Sequence, residues 1–180
     1  GADAVMLSAE SAAGKFPIEA VTTMDNVAKS VESDPTYRQI IEASRSVNRT
    51  TVADGIVSAA REIAESADIK AICCFSQSGT TVALVARERP RVPIIALTPL
   101  METARRMCLT WGAHCVITEE QDRFKGAVIS AVRAARTYGF AGEKDQIVLT
   151  AGVPFNVQGT TNILRVAPCD ERLIYRADPE

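Results

Sequence analysis

Residues 70 to 88 read Lys70-Ala-Ile-Cys-Cys-Phe-Ser-Gln-Ser-Gly-Thr-Thr-Val-Ala-Leu-Val-Ala-Arg-Glu88. Ala71 to Phe75 is an unbroken apolar run, the pattern of a strand covered on both faces. Ser76, Gln77, Ser78, Gly79, Thr80 and Thr81 follow at once, and a helical pattern then runs to Pro90. A strand feeding a helix through a short polar loop is the first half of a parallel crossover. A single Ser or Thr would suffice to cap that helix. Five small hydroxyl or glycine residues in six exceed that need. Backbone N–H groups at a helix start, beside hydroxyls and an unhindered glycine, suit an anion. Residues 76–81 are therefore read as a phosphate-binding loop. The Walker pattern Gly-x-x-x-x-Gly-Lys-Ser/Thr is absent, which excludes a P-loop.

The alternation continues outward. A helix is predicted over 52–66, with Val52, Ile56, Val57, Ala60, Ile63 and Ala64 on one face and Thr51 with Asp54 as a capping box. After residue 90, strands at 93–97 and 113–117 alternate with helices near 101–109 and 122–138. The last helix has Gly139 just past its end. Two β-branched runs, 146–150 and 162–166, are too close for a helical crossover, so that pair is antiparallel. The expectation is a three-layer α/β domain: a five-stranded, mostly parallel sheet, last strand antiparallel, helices on both faces. Upstream, 4–7 reads as a strand, 8–16 as a polar loop, and Pro17 opens a helix carrying Ile18, Val21, Met24, Val27 and Val31. Ser33-Asp34-Pro35 stops it. A short amphipathic turn (Tyr37, Ile40, Ile41) follows, and the polar stretch 44–51 is the best place for a boundary.

A net charge of −2 with scattered basic residues gives no nucleic-acid surface. No apolar run approaches a membrane span. Five cysteines without CxxC spacing and a single histidine argue against zinc. Cys73 and Cys74, inside the apolar run, suit buried reduced thiols and hence the cytoplasm. The opening Gly1-Ala-Asp, without an initiator methionine, suggests a fragment of something longer.

Beyond the first loop, chemistry is sparse. Residues 151–162 form a second turn-rich loop after a strand end. It is either a hairpin connection with Gly152 and Gly159 at positive φ or a wrap for the sugar part of a ligand through Gly152, Val153, Pro154 and Gly159. It carries no Lys or Arg to clamp a second phosphate. Ser8, Glu10 and Ser11 are a polar loop, and His114 near Trp111 is a packing or edge residue. No triad or carboxylate pair is visible.

Several segments resemble one family. Gly1-Ala-Asp-Ala-Val-Met-Leu-Ser-Ala-Glu-Ser-Ala-Ala-Gly-Lys-Phe-Pro-Ile-Glu-Ala-Val21 is similar to the end of the catalytic barrel of pyruvate kinases. Phe75 to Thr81 resembles their effector loop. Pro93-Ile-Ile-Ala-Leu-Thr-Pro99, Glu102-Thr-Ala-Arg-Arg106 and Trp111-Gly112 resemble the core of their C-terminal domain. Gly152-Val-Pro154 and Gly159-Thr-Thr-Asn162 resemble its closing loop. The resemblance implies that residues 1–33 are the last strand–helix unit of a (β/α)8 barrel, 34–168 the C-terminal α/β domain and 169–180 a tail. It implies a regulatory and subunit-contact domain of an enzyme that moves phosphoryl from phosphoenolpyruvate to ADP in glycolysis, with Mg²⁺ and K⁺. It further implies a homo-oligomeric parent, a tetramer. The family's catalytic lysine and its metal ligands would lie upstream of Gly1, so this fragment is expected to hold no catalytic residue, bind no metal and be inactive alone.

Ala9 and Ser11 replace the family's glycine and threonine. Members activated by a sugar bisphosphate add basic residues that are missing here, apart from Arg123 and Lys125. The expected ligand thus carries one phosphate: a sugar or nucleotide monophosphate, or inorganic phosphate or sulfate. Two readings compete. One is a free-standing phosphosugar-binding module of sugar-isomerase type, since Ser-x-Ser-Gly-x-Thr resembles that phosphate loop. The other is an interaction domain with a vestigial pocket.

Overall fold

A strand that is apolar on both faces has to be sandwiched between helices, and that is what surrounds residues 71–75. The computed structural model of the chain describes residues 2–44, 51–155, 157 and 160–176, without the side chains of 175 and 176. It separates into two compact units, Gly1–Asn48 and Arg49–Glu180.

The first unit is helical: α1 (Ala9–Ala12), α2 (Pro17–Ser33) and α3 (Pro35–Ala43). Pro17 opens α2 as predicted, because its fixed φ suits a first helical turn and its missing N–H costs nothing there. Asp34 ends α2 and caps α3, its carboxylate accepting the Thr36 N–H at 2.7 Å. That bond holds the Asp34 carboxyl below its usual range. The strand expected at 4–7 is not formed, and part of the expected polar loop is α1 instead. A strand needs a neighbour to bond to, and none of the described residues of this unit forms one. The apolar stripe of α2 is real but uncovered: Ile18 is 77% exposed, and Val21, Val27 and Val31 are exposed too.

In the second unit, α4 (Val52–Ser66), β1 (Ile69–Phe75), α5 (Thr80–Arg87), β2 (Ile94–Thr98), α6 (Met101–Met107), β3 (Ala113–Ile117), α7 (Phe124–Thr137), β4 (Gln146–Gly152), β5 (Thr161–Pro168) and α8 (Glu171–Arg176) follow in order. The sheet order is β3-β2-β1-β4-β5. All neighbours are parallel except β4 and β5, as expected. Alternate residues of each strand feed two cores. Cys73, Ile95, Leu97, Ile147 and Leu149 pack under α7 and α8, while Ile72, Cys74, Ile94, Ala96 and Val148 pack under α4 and α5.

The helix ends follow local chemistry. Gly139, at φ 75°, lets the chain leave α7 in a Schellman turn, with Phe140 N–H on Ala135 O (2.9 Å) and Gly139 N–H on Arg136 O (3.1 Å). Residues read as a tail form α8, docked by Ile174, which is 1% exposed, and by a two-point Arg133–Glu171 pair at 3.0 and 2.8 Å. Val52, predicted on the apolar face of α4, is 70% exposed because it stands at the helix mouth.

The capping box is present and does more than predicted. Asp54 accepts from Thr51 N–H (3.2 Å) and Thr51 Oγ1 (2.7 Å), and its other oxygen accepts from Arg87 Nη2 at 2.7 Å, tying α4 to α5. The Arg87 bond first, then Thr51, pulls the Asp54 carboxyl down to about 2. With a folded value below the unfolded one of about 4, its contribution is complete above pH 4 and fades as pH falls toward 2. In urea melts, the stability gap between wild type and Asp54→Asn should be constant from neutral pH to about pH 5 and close below pH 3. A gap that persists at low pH would assign the ion pair no role.

Candidate anion-binding cleft

The connection leaving β1 runs toward β2, on one side, and the one leaving β4 runs toward β5, on the other. Loops that diverge at strand carboxyl ends open a crevice between them. Here the crevice is a cleft of about 80 Å³. Ser76, Gln77, Ser78, Thr80 and Thr81 form one wall, and Gly152, Phe155, Val157, Thr160 and Thr161 the other. Ala53, Leu84 and Pro99 add apolar surface, and Glu120 and Gln121 close the side. Among the described residues that line it there is no Lys or Arg, and Glu120 is the one carboxylate.

The first loop is preorganised. Gly79 precedes α5 at φ 83°, and its N–H donates to Ser76 Oγ at 3.0 Å. Ser76 N–H is itself fixed on Leu97 O at 3.0 Å. The buried Ser76 hydroxyl thus shapes the turn, while Ser78 and Thr80, hydroxyls 2.9 Å apart, stand at the mouth. Thr80 N–H, the first of α5, donates to Ser78 Oγ at 3.4 Å, and the N–H groups that follow lack partners within the helix. From behind, α6 holds the loop by its carbonyls: Thr103 Oγ1 donates to Gln77 O (2.7 Å) and Arg106 Nη2 to Ser78 O (2.5 Å). Met107 packs against Gly79 so closely that a Cβ there would sit 3.0 Å from its Sδ.

The second loop is pinned to the first. Thr161 Oγ1 and Thr81 Oγ1 are 2.6 Å apart, and both are buried. Phe155 meets Phe75 edge-on, ring centres 6.1 Å apart. Asn162 closes the neck, accepting from Val153 N–H (3.0 Å) and donating to Val153 O (2.7 Å). Of the residues predicted here, Gly152 reaches the wall; Val153 and Pro154 form the neck instead, and Gly159 lies outside the described residues. Gly152 does not have positive φ but sits at an irregularity of the β4–β5 register. Thr161, Phe155 and Glu120 went unread as site residues. The Thr81–Thr161 pair joins positions eighty apart, and only the strand order brings them together.

Among the described residues no three His, Cys, Asp or Glu side chains converge as a metal ion requires. His114 packs between Tyr138 (4.6 Å) and Phe140 (5.1 Å), not on Trp111, whose ring takes the Arg89 guanidinium at 4.8 Å. Cys73 and Cys74 are buried thiols as predicted, and burial pushes Cys74 up to about 12. No described helix is long and apolar enough to cross a membrane.

Fold and cleft together define an open-sheet α/β domain with its crevice at the strand carboxyl ends, where such sheets take ligands. The family described as pyruvate kinase, alpha/beta domain, matches residues 54–167. Proteins named pyruvate kinase match at 44% identity in Methylorubrum extorquens (93% of this chain, 35% of the relative), 42% in Agrobacterium vitis (92% and 35%) and 36% in Clostridium acetobutylicum (92% and 35%). The chain belongs to the pyruvate kinase family through this domain. It spans about a third of the length of those curated relatives. None of these matches supports the sugar-isomerase reading.

Proposed function

We propose that this chain is the regulatory and subunit-contact part of a pyruvate kinase, with residues 1–33 the last strand–helix unit of the barrel and 34–168 the C-terminal domain. The parent transfers phosphoryl from phosphoenolpyruvate to ADP with Mg²⁺ and K⁺, as a cytoplasmic homotetramer. No step of that transfer runs through these residues, and the chain alone is expected to give no turnover in a coupled phosphoenolpyruvate and ADP assay.

The cleft takes one phosphate, from a sugar monophosphate, a nucleotide monophosphate, or free phosphate or sulfate. The carrying observation is the make-up of its wall: hydroxyls and the start of α5 on one side, Thr160 and Thr161 on the other, and, among the described lining residues, a carboxylate but no cation. Hydroxyl and N–H donors can hold one phosphate. A second phosphate would face Glu120 without an Arg or Lys to offset it. Calorimetry on the 180-residue chain with glucose 6-phosphate, AMP and fructose 1,6-bisphosphate tests this. A monophosphate should bind and lose at least tenfold in affinity in Thr80→Ala/Thr81→Ala. Tight bisphosphate binding undiminished in that variant would overturn the assignment.

A further inference from the structure

A carboxylate is an odd neighbour for an anion, yet Glu120 lines the cleft beside Gln121. It repels phosphate, and as a hydrogen-bonding group it can only accept. Asp54, next to the lining residue Ala53, is taken up by Thr51 and Arg87. Glu120 has no such duty: among the described residues, no hydrogen bond or ion pair engages its side chain. The turn that carries it is nevertheless fixed. Thr118 N–H donates to Thr98 O at 3.1 Å, anchoring the end of β3 to β2. The Glu119 carbonyl then accepts twice, from Thr118 Oγ1 at 2.9 Å and from Gln121 Nε2 at 3.3 Å. Glu120 thus sits within a pinned turn. The amide oxygen of Gln121 lies across the first turn of α7, in the space that a Cβ on Gly126 would occupy. Glycine inside a helix costs stability; here it makes room for that side chain.

We propose that Glu120 is the specificity residue of the cleft: its carboxylate accepts hydrogen bonds from the free hydroxyls of a monophosphorylated sugar, and Gln121 and Gly126 position it. The inference rests on the reading of residues 76–81 as the phosphate loop. The two ends of the cleft then suit opposite chemistries. N–H and hydroxyl donors at 76–81 meet the phosphate, and an acceptor at 120 meets the sugar hydroxyls. A hydrogen bond onto an ionised carboxylate is stronger than one between neutral groups. Leu84, Pro99 and Phe155 add apolar wall for the C–H surface of a sugar ring. The same charge works against the wrong ligand. Without a cation a second phosphate gains nothing, but beside Glu120 it is penalised, so bisphosphates are rejected and not merely unrewarded.

Calorimetry of the 180-residue chain in metal-free buffer, with glucose 6-phosphate and ethyl phosphate, tests this, because the two esters share the phosphate but not the hydroxyls. The unaltered chain should bind glucose 6-phosphate roughly tenfold more tightly than ethyl phosphate. Glu120→Gln should erase most of that preference by weakening glucose 6-phosphate alone, and should let fructose 1,6-bisphosphate bind several-fold more tightly. Gly126→Ala should keep or raise stability in urea melts, since the Gln121 side chain can swing aside, yet lower the same preference. Thr80→Ala/Thr81→Ala should weaken both esters alike. Equal binding of the two esters, or a preference unchanged in Glu120→Gln, would overturn the role of Glu120 and leave the phosphate loop standing. A preference unchanged in Gly126→Ala would deny Gln121 and Gly126 theirs. AMP bound more tightly than glucose 6-phosphate and indifferent to Glu120→Gln would overturn the sugar class. If no phosphate ester binds, the loop reading falls and this inference with it.

Discussion

Replacing Gly79 by valine should cost about 2–4 kcal/mol of stability and remove ligand binding at the cleft. Two penalties act together. At φ 83° a β-branched residue is strained by its own backbone. Its Cβ would also meet Met107 Sδ at 3.0 Å and Cγ at 3.1 Å, so the Met107 side chain, 3% exposed, has to give by a few tenths of an ångström inside the core. Either the loop or α6 must then shift, and the contacts of Arg106 and Thr103 shift with it. Gly139→Val is the control. It too has positive φ, but nothing lies within 4 Å of a Cβ there, so only the backbone term of about 1–2 kcal/mol applies. Urea melts of the two variants should differ by that packing term, and equal losses would deny Met107 its role.

Leu149→Ala should destabilise the second unit by about 2–5 kcal/mol. Leu149 is 0% exposed and sits in β4 with Cys73 of β1 on one side and Arg165 of β5 on the other. Its side chain fills the layer between the sheet and α7, where Ala127, Ala131 and Ala135 are small and cannot reach into a void. Because β4 also carries Gly152 and the neck of the second loop, the cleft should loosen along with the core. Val166→Ala, on the exposed side of β5, should change stability by only about 0.5 kcal/mol. Chemical denaturation gives both numbers, and a loss under about 1 kcal/mol for Leu149→Ala would contradict the packing described.

The sheet could be read from residues because its strands are apolar on both faces and its helices carry clear stripes. β1, β2 and β4 needed nothing but that contrast. The Thr51–Asp54 box and Gly139 were legible for a related reason: their partners lie within a few residues. What escaped reading depended on distance in the chain. Arg87 reaching Asp54, Thr161 meeting Thr81 and Arg106 bonding the Ser78 carbonyl all join elements whose approach the strand order dictates. Residues 4–7 failed in the opposite way. Their composition suits a strand, but a strand is a property of two segments, and the second is not among the described residues of that unit. The short α8 carries too little periodicity to announce itself, and only its burial of Ile174 explains why it folds.

The strand order has a consequence for how the molecule is made. β1 is the middle of the sheet, yet its neighbour on one side, β4, is paired from Ile72 to Val148 and is synthesised long after it. Until β4 emerges, β1 offers a bare row of N–H and C=O groups along an uncharged segment, Ala71 to Phe75, without proline. Such an edge recruits other strands readily. A nascent chain stalled before residue 146, or one cut there by a protease, is therefore a seed for aggregation rather than a smaller version of the same domain.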